Sequence, residues 1–129
     1  MFKILNNHYS FTQLEETQRK QMFEKGYSFL NSKENEVLTE SKRSLSKELL
    51  ECDINRRRLS QIHRAFYEEQ HQREYDILKC VHYHSQRQFY NQGVLLLGSG
   101  HRSSMREKIE GYSSISDIKL SWTFFGDAN

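Results

Sequence analysis

The 129-residue chain has no proline at all. That absence argues against a Pro-rich disordered linker and a Pro-punctuated β-sandwich, and it leaves long helices uninterrupted. Apolar residues are also scarce. They make up 36% of the chain against 28% charged, with a mean hydropathy of -0.87, which excludes a thick core and favours thin amphipathic elements. The two cysteines, Cys52 and Cys80, form no CxxC, so no zinc ribbon, disulfide framework or thioredoxin motif is present. The longest apolar run is Val94 to Leu97, far short of the roughly 18 residues a membrane span needs. The apolar run after Met1 is too short for a signal peptide, and no Asn-x-Ser/Thr sequon occurs. The expectation is a cytoplasmic protein. Lys and Arg exceed Asp and Glu by 19 to 17, so any basic partner surface must be local rather than global.

What is present is helical periodicity. Residues 1–10 read as an irregular start. Phe11 to Leu30 reads as a helix, with Leu14, Phe23, Tyr27 and Leu30 along one stripe. Residues 31–36 form a soft joint, where Ser32 is placed to cap the next helix. From Ser32 to Leu97 no breaker appears before Gly93, and the spacing predicts one long helix, curved or kinked near position 70. Leu38, Leu45, Cys52, Leu59 and Phe66 recur every seven residues. The companion positions Lys42, Leu49, Arg56, His63 and Gln70 are mostly polar, so only one heptad seam is apolar. Beyond position 70 the register shifts to Ile77, Leu78, Val81 and Phe89. The expected packing set is therefore Leu38, Leu45, Leu49, Leu59, Phe66, Ile77, Leu78, Val81 and Phe89. A helix with so narrow a stripe needs a cover, either residues 11–30 packed antiparallel or a second chain.

The last quarter changes character. Gly93, Gly98, Gly100 and Gly111 interrupt the pattern. Ser103 to Ile109 reads as a further helical turn or two. Ile118, Leu120, Trp122 and Phe124 alternate as in a strand. The expected organisation is a helical region over 1–112 and an irregular or strand-like tail over 113–129.

No constellation of catalytic residues stands out. His82 and His84 lie two apart, which on a helix points them about 160–200° apart. The His residues lack the i, i+4 pairing of a helical zinc site. Gly98-Ser99-Gly100 lacks the Lys that a phosphate loop needs and reads as a hinge. No GxSxG elbow occurs, and no Cys/His pair has catalytic spacing. The expectation is no enzyme, no metal and no cofactor. The informative charge feature is basic. Arg56, Arg57, Arg58 and Arg64 fall within nine positions free of acid, preceded by Lys42, Arg43 and Lys47. Glu68, Glu69, Glu74 and Asp76 make the next stretch acidic. Such a strip suits an anionic surface, where each nearby Lys or Arg is worth about 1 kcal/mol.

The run Tyr83-His84-Ser85-Gln86-Arg87-Gln88-Phe89-Tyr90-Asn91-Gln92-Gly93, followed by apolar Val94 to Leu97, resembles the last-helix signature of BAR domains that precede PH and Arf-GAP modules. The segment from Ser41 to Ile62 is similar to their middle helix. The resemblance covers roughly residues 35–112. It implies an all-α fold, a long antiparallel helical hairpin or three-helix coiled-coil bundle, assembled as a homodimer. It also implies peripheral binding to anionic phospholipid membranes through Lys42, Arg43, Lys47, Arg56, Arg57, Arg58 and Arg64, with small-GTPase pathway proteins as further partners. Two departures qualify the match. The chain is about half the helical length of such a module, with its first helix shortened to about Phe11–Leu30, and the Gly98-Ser99-Gly100 break and strand-like tail are out of pattern. The CxxC pairs of the Arf-GAP finger are absent as well, so no GTPase-activating activity carries over. The alternative reading is a coiled-coil adaptor that binds another helical protein through the 38/45/52/59/66 stripe. A nucleic-acid binder using Arg56 to Arg64, with Phe66, Tyr67 and Tyr75 stacking on bases, fits poorly with the near-balanced charge.

Overall fold

The computed structural model describes residues 1–115 and 118–127. Among these residues the chain is all-helical: α1 (Phe2–Leu5), α2 (Tyr9–Lys25), α3 (Tyr27–Leu30), α4 (Lys33–Glu51), α5 (Arg56–Arg87), a 3₁₀ turn (Ser99–His101) and α6 (Arg102–Ile115). They divide into two compact units, Met1–Glu68 and Glu69–Asn129, with the boundary inside α5. The boundary expected at 112/113 falls within the second unit.

The first unit shows how a narrow stripe is covered by its own chain. The expected single helix over 32–97 is broken at Cys52 to Asn55. The Asn55 N–H donates to Asp53 Oδ1 at 2.7 Å, a local turn that competes with the helical hydrogen bond. The Leu59 N–H then donates to the Asn55 carbonyl and restarts the helix. The reversal brings Leu50 against Leu59 in one buried cluster with Leu5 and Phe11, flanked by Met1, Ile4, Leu45 and Leu49. Each fully buried Leu or Phe contributes about 1.5–3 kcal/mol, a gain a straight rod forgoes. The expected irregular start is likewise corrected, because α1 forms and delivers Leu5 to this cluster.

Helices α2 and α4 run antiparallel. Lys25 pairs with Glu34 near their shared turn, Gln18 bonds to Asn35 and Thr39, and Lys42 reaches back to Glu15. The expected helix over 11–30 is interrupted at Gly26, whose φ of 58° and ψ of -136° suit only glycine. Ser32 caps α4 as the sequence indicates, its Oγ accepting from the Asn35 N–H at 3.2 Å. Asn35 itself is buried but satisfied. Its Nδ2 donates to the Leu30 carbonyl, and its Oδ1 accepts from Gln18 Nε2.

In the second unit α6 lies alongside the later part of α5 and runs in the same direction. Glu74 meets Ser104 and Lys108, Leu78 packs with Met105 and Ile109, and the His82 ring tilts against Tyr112. A parallel pair needs a return crossing. Residues 74 to 87 rise about 20 Å as helix, and the eleven residues from 88 to 98 span up to about 36 Å when extended. This segment is neither helix nor strand. The expected helix to Leu97 therefore ends at Arg87, inside the Tyr83–Gly93 run. Phe89, expected in the packing set, is 97% exposed. Gly98 and Gly100, expected as a hinge, lead through the 3₁₀ turn into α6.

The expected strand over 118–124 is not formed, yet its alternation is real. Ile118, Leu120, Trp122 and Phe124 are half-buried while Lys119, Ser121 and Thr123 are exposed. Trp122 and Phe124 pack on Leu78, Met105 and Ile109 as a strap. Residues 116, 117, 128 and 129 of the expected tail lie outside the described residues.

A side chain at Gly26 forces an L-residue into a region it avoids, at a cost of about 1–3 kcal/mol. Gly26→Ala should lower the urea midpoint accordingly, although nothing lies within 4 Å of the added Cβ.

Candidate functional site

The expected basic strip resolves into two groups. Lys42 Nζ pairs with Glu15 at 3.0 Å and bonds to Gln18 at 3.1 Å, and it also sits over the Phe11 ring. Arg43 lies over the Tyr67 ring at 4.4 Å and faces Glu40. Both charges serve contacts inside the first unit. Lys47, Arg56, Arg57, Arg58 and Arg64 are all exposed, and none makes an ion pair or hydrogen bond through its side chain among the described residues. Within α5, Arg57 and Arg64 are seven apart and share the face opposite Leu59, with Arg56 and Arg58 to either side. Lys47 lies near enough to act on His63. Ile54, on the turn immediately before the arginines, is 96% exposed.

Three arginines in the first turn of a helix oppose its macrodipole, whose N-terminal end is positive. No acidic residue occupies that turn. The α4–α5 turn thus concentrates positive charge beside one projecting aliphatic side chain.

The same unit uses His63 as a linker. Its Nε2 lies 2.9 Å from Ser46 Oγ, and its ring tilts against Tyr67 at 4.7 Å. Burial, with Arg43 and Lys47 nearby, lowers its pKa. Burial pushes the Tyr67 hydroxyl up.

The second unit holds a polar cluster that sequence reading missed. Glu74, with 4% of its side chain exposed, is its hub. Its Oε1 accepts from His101 Nδ1 at 2.6 Å, and its Oε2 accepts from Ser104 Oγ at 2.6 Å and Lys108 Nζ at 2.7 Å. An ionised carboxylate only accepts, so Nδ1 of His101 carries the proton. Burial pushes the Glu74 carboxyl up, but the hydrogen bonds from Lys108, Ser104 and His101, with the charge of Lys108, outweigh it and leave the pKa lowered. The sequence placed Glu74 in an acidic stretch with Glu68, Glu69 and Asp76. The residues that bury it lie 27 to 34 positions away, and no local pattern announces them. Ser, His, Lys and Glu meet here, and Lys108 Nζ also donates to Ser104 Oγ at 2.6 Å. His101 bonds to the carboxylate rather than to Ser104, and Lys108 is paired with that carboxylate. The cluster is a clamp that fixes the 3₁₀ turn and α6 on α5. A second clamp holds the strap, where Asp127 accepts from Arg102 at 2.7 Å and from Arg106, and both guanidiniums lie over the Phe124 ring.

The expected packing residues Leu45, Leu49, Leu59, Ile77 and Leu78 lie in or against the two cores. Phe66 is partly exposed, edge-on to Phe2 and Tyr67. Leu38 and Val81 are half-buried. Among the described residues no three His, Cys, Asp or Glu side chains come together to hold a metal ion, and no helix is long and apolar enough to cross a membrane. No family model, curated protein or solved structure matches the chain.

Trp122 is the chain's single tryptophan and reports on the second unit. His82, with its pKa lowered by burial, contributes stability that is complete above its ordinary value near 6.5 and is lost as pH falls through the lowered one. Glu74 behaves likewise below its ordinary value near 4.5. Stability read at Trp122 should therefore drop in two acid limbs, with Glu74→Gln removing the lower. Lys108→Met, which strands the buried carboxylate, should cost about 3–5 kcal/mol at neutral pH. In the double variant with Glu74→Gln, urea unfolding should show much less than the sum of the two losses.

Proposed function

We propose that this chain is a non-catalytic helical module that associates peripherally with anionic membranes, as the BAR domains it resembles do. The observation that carries this reading is the α4–α5 turn. Arg56, Arg57 and Arg58 stand unpaired there among the described residues, Arg64 extends the same face, and Ile54 projects 96% exposed beside them. An anionic interface relieves the clash of these arginines with the helix dipole and admits one aliphatic side chain between headgroups. At about 1 kcal/mol per basic residue, Lys47 and the four arginines together supply about 5 kcal/mol, a weak, salt-sensitive and reversible attachment. Lys42 and Arg43 drop out of this surface because Glu15, Gln18 and Tyr67 occupy them.

Homodimer formation and contact with small-GTPase pathway proteins rest on the family resemblance. The adaptor alternative has less to recommend it, since Leu45 and Leu59 are used within the first unit and Cys52 sits exposed on a turn. The 38/45/52/59/66 line does not run as one ridge. A peripheral attachment is compatible with the absence of a membrane-crossing helix among the described residues.

Co-sedimentation with phosphatidylserine-containing vesicles at low salt should pellet the protein, and neutral vesicles or raised salt should release it. Arg56→Glu/Arg57→Glu/Arg58→Glu should reduce pelleting by at least about 100-fold, from about 3 kcal/mol lost, with helicity unchanged. Lys42→Glu should instead lower stability through Glu15. Lack of pelleting by the unaltered protein at low salt defeats the reading.

A further inference from the structure

The basic surface of α5 encloses a serine. Ser60 is half-buried in the second turn of the helix. Arg56 and Arg64 lie one turn before and after it, and Arg57 lies three residues before it. All three therefore neighbour Ser60 on the helix surface, at about 5–6 Å between Cβ atoms. From α4, Lys47 and Glu51 both act on His63, three residues on from Ser60, and add one charge of each sign. The Ser60 hydroxyl is also unlike those of other helical serines. Ser28, Ser41, Ser46 and Ser85 donate to a carbonyl three or four residues back, whereas Ser60 Oγ has no partner among the described residues. Among the serines and threonines of the chain, Ser60 alone has arginine both two and three positions before it. Ser46, with Arg43 three before it, is buried.

Serine kinases that select substrates by charge pattern read such arginines ahead of the acceptor. We propose that Ser60 is a phosphorylation site for an arginine-directed serine kinase, and that its phosphate settles among Arg56, Arg57 and Arg64 and detaches the chain from anionic membrane. The step is transfer of the γ-phosphoryl group of ATP. The bond from the γ-phosphorus to the β–γ bridging oxygen breaks, a bond from that phosphorus to Ser60 Oγ forms, the hydroxyl proton goes to the kinase's catalytic aspartate, and ADP leaves. The kinase meets α5 where the helix is weakest. Its first turn sets three arginines against the dipole with no acid to relieve them, and the N–H groups there begin outside the intrahelical ladder. Buried Leu59 holds this turn down, so the reaction draws on the minority of molecules in which it has opened. Once attached, the phosphate brings about two negative charges and three acceptor oxygens to three guanidinium groups. The clash with the helix dipole is then relieved from within, and about two positive charges are lost to the membrane. Detachment rests on the membrane reading of this surface, whereas the modification and its arginine pairing do not.

Incubating the full chain with MgATP and the catalytic subunit of the cyclic-AMP-dependent protein kinase should place one phosphate on Ser60, mapped by mass spectrometry. Phosphorus-31 NMR titration should find the second ionisation of that phosphate below its ordinary value near 6, because neighbouring guanidiniums favour the dianion. Arg64→Gln lies beyond the residues the kinase reads, so it should leave labelling intact and move this ionisation back up. Phosphorylation should weaken pelleting with phosphatidylserine vesicles about 30-fold. Ser60→Ala, which removes no hydrogen bond, should pellet as the unaltered chain does and ignore the kinase. No phosphate at Ser60, an ionisation indifferent to Arg64→Gln, or undiminished pelleting of the phosphorylated chain overturns the proposal. If the unmodified chain itself fails to pellet, the membrane reading and the detachment fall together, and mapping and titration alone uphold or overturn the site.

Discussion

Leu50 and Leu59 meet because four residues between them reverse the chain, and the first unit depends on that meeting. An amphipathic helix with one apolar seam has nothing to gain in water unless something covers the seam. The turn at Cys52 to Asn55 makes α5 the cover for α4, and α1 and α2 close the same cluster with Leu5 and Phe11. The polar contacts then set register rather than supply the main driving force. Asn35 bonded to Gln18 and Leu30, and Ser46 near His63, fix how far each helix slides along its neighbour.

The second unit solves the same problem differently. Its apolar cluster is small, and a buried ion pair with three further hydrogen bonds stands beside it. Glu74 and Lys108 are both nearly excluded from water, so each is tolerable only with the other in place. The unit's polar bonds are therefore mutually dependent, and Asp127 with Arg102 and Arg106 repeats the pattern over the strap. What neither clamp covers is the return segment, where apolar side chains and bare backbone face solvent together.

The turn that lets the first unit cover itself also presents its charge. Reversal at 52–55 puts Ile54 at a tip and three arginines directly behind it. Packing on the other side of the same helices draws Lys42 and Arg43 inward. Structural and surface roles of the basic residues are thus separated by which face of α4 and α5 carries them, and the membrane reading uses only the outward set.

The sequence by itself determined the helical class. It lacks proline, is thinly apolar and repeats at helical spacing, and those are local properties of the chain. It also marked Ser32 as a cap, Arg56 to Arg64 as an exposed basic run, and the alternation of Ile118 to Phe124, each readable from a few neighbouring residues. Tertiary structure decided where the long helix stops. The 52–55 break contains neither proline nor glycine and is favoured by a contact between Leu50 and Leu59 that exists only after folding. It likewise decided that Glu74 is a buried hub rather than one more solvated acid, because His101, Ser104 and Lys108 come from a different helical segment. Periodicity reports what a residue's own helix does with it, whereas burial and pairing depend on which distant segment arrives.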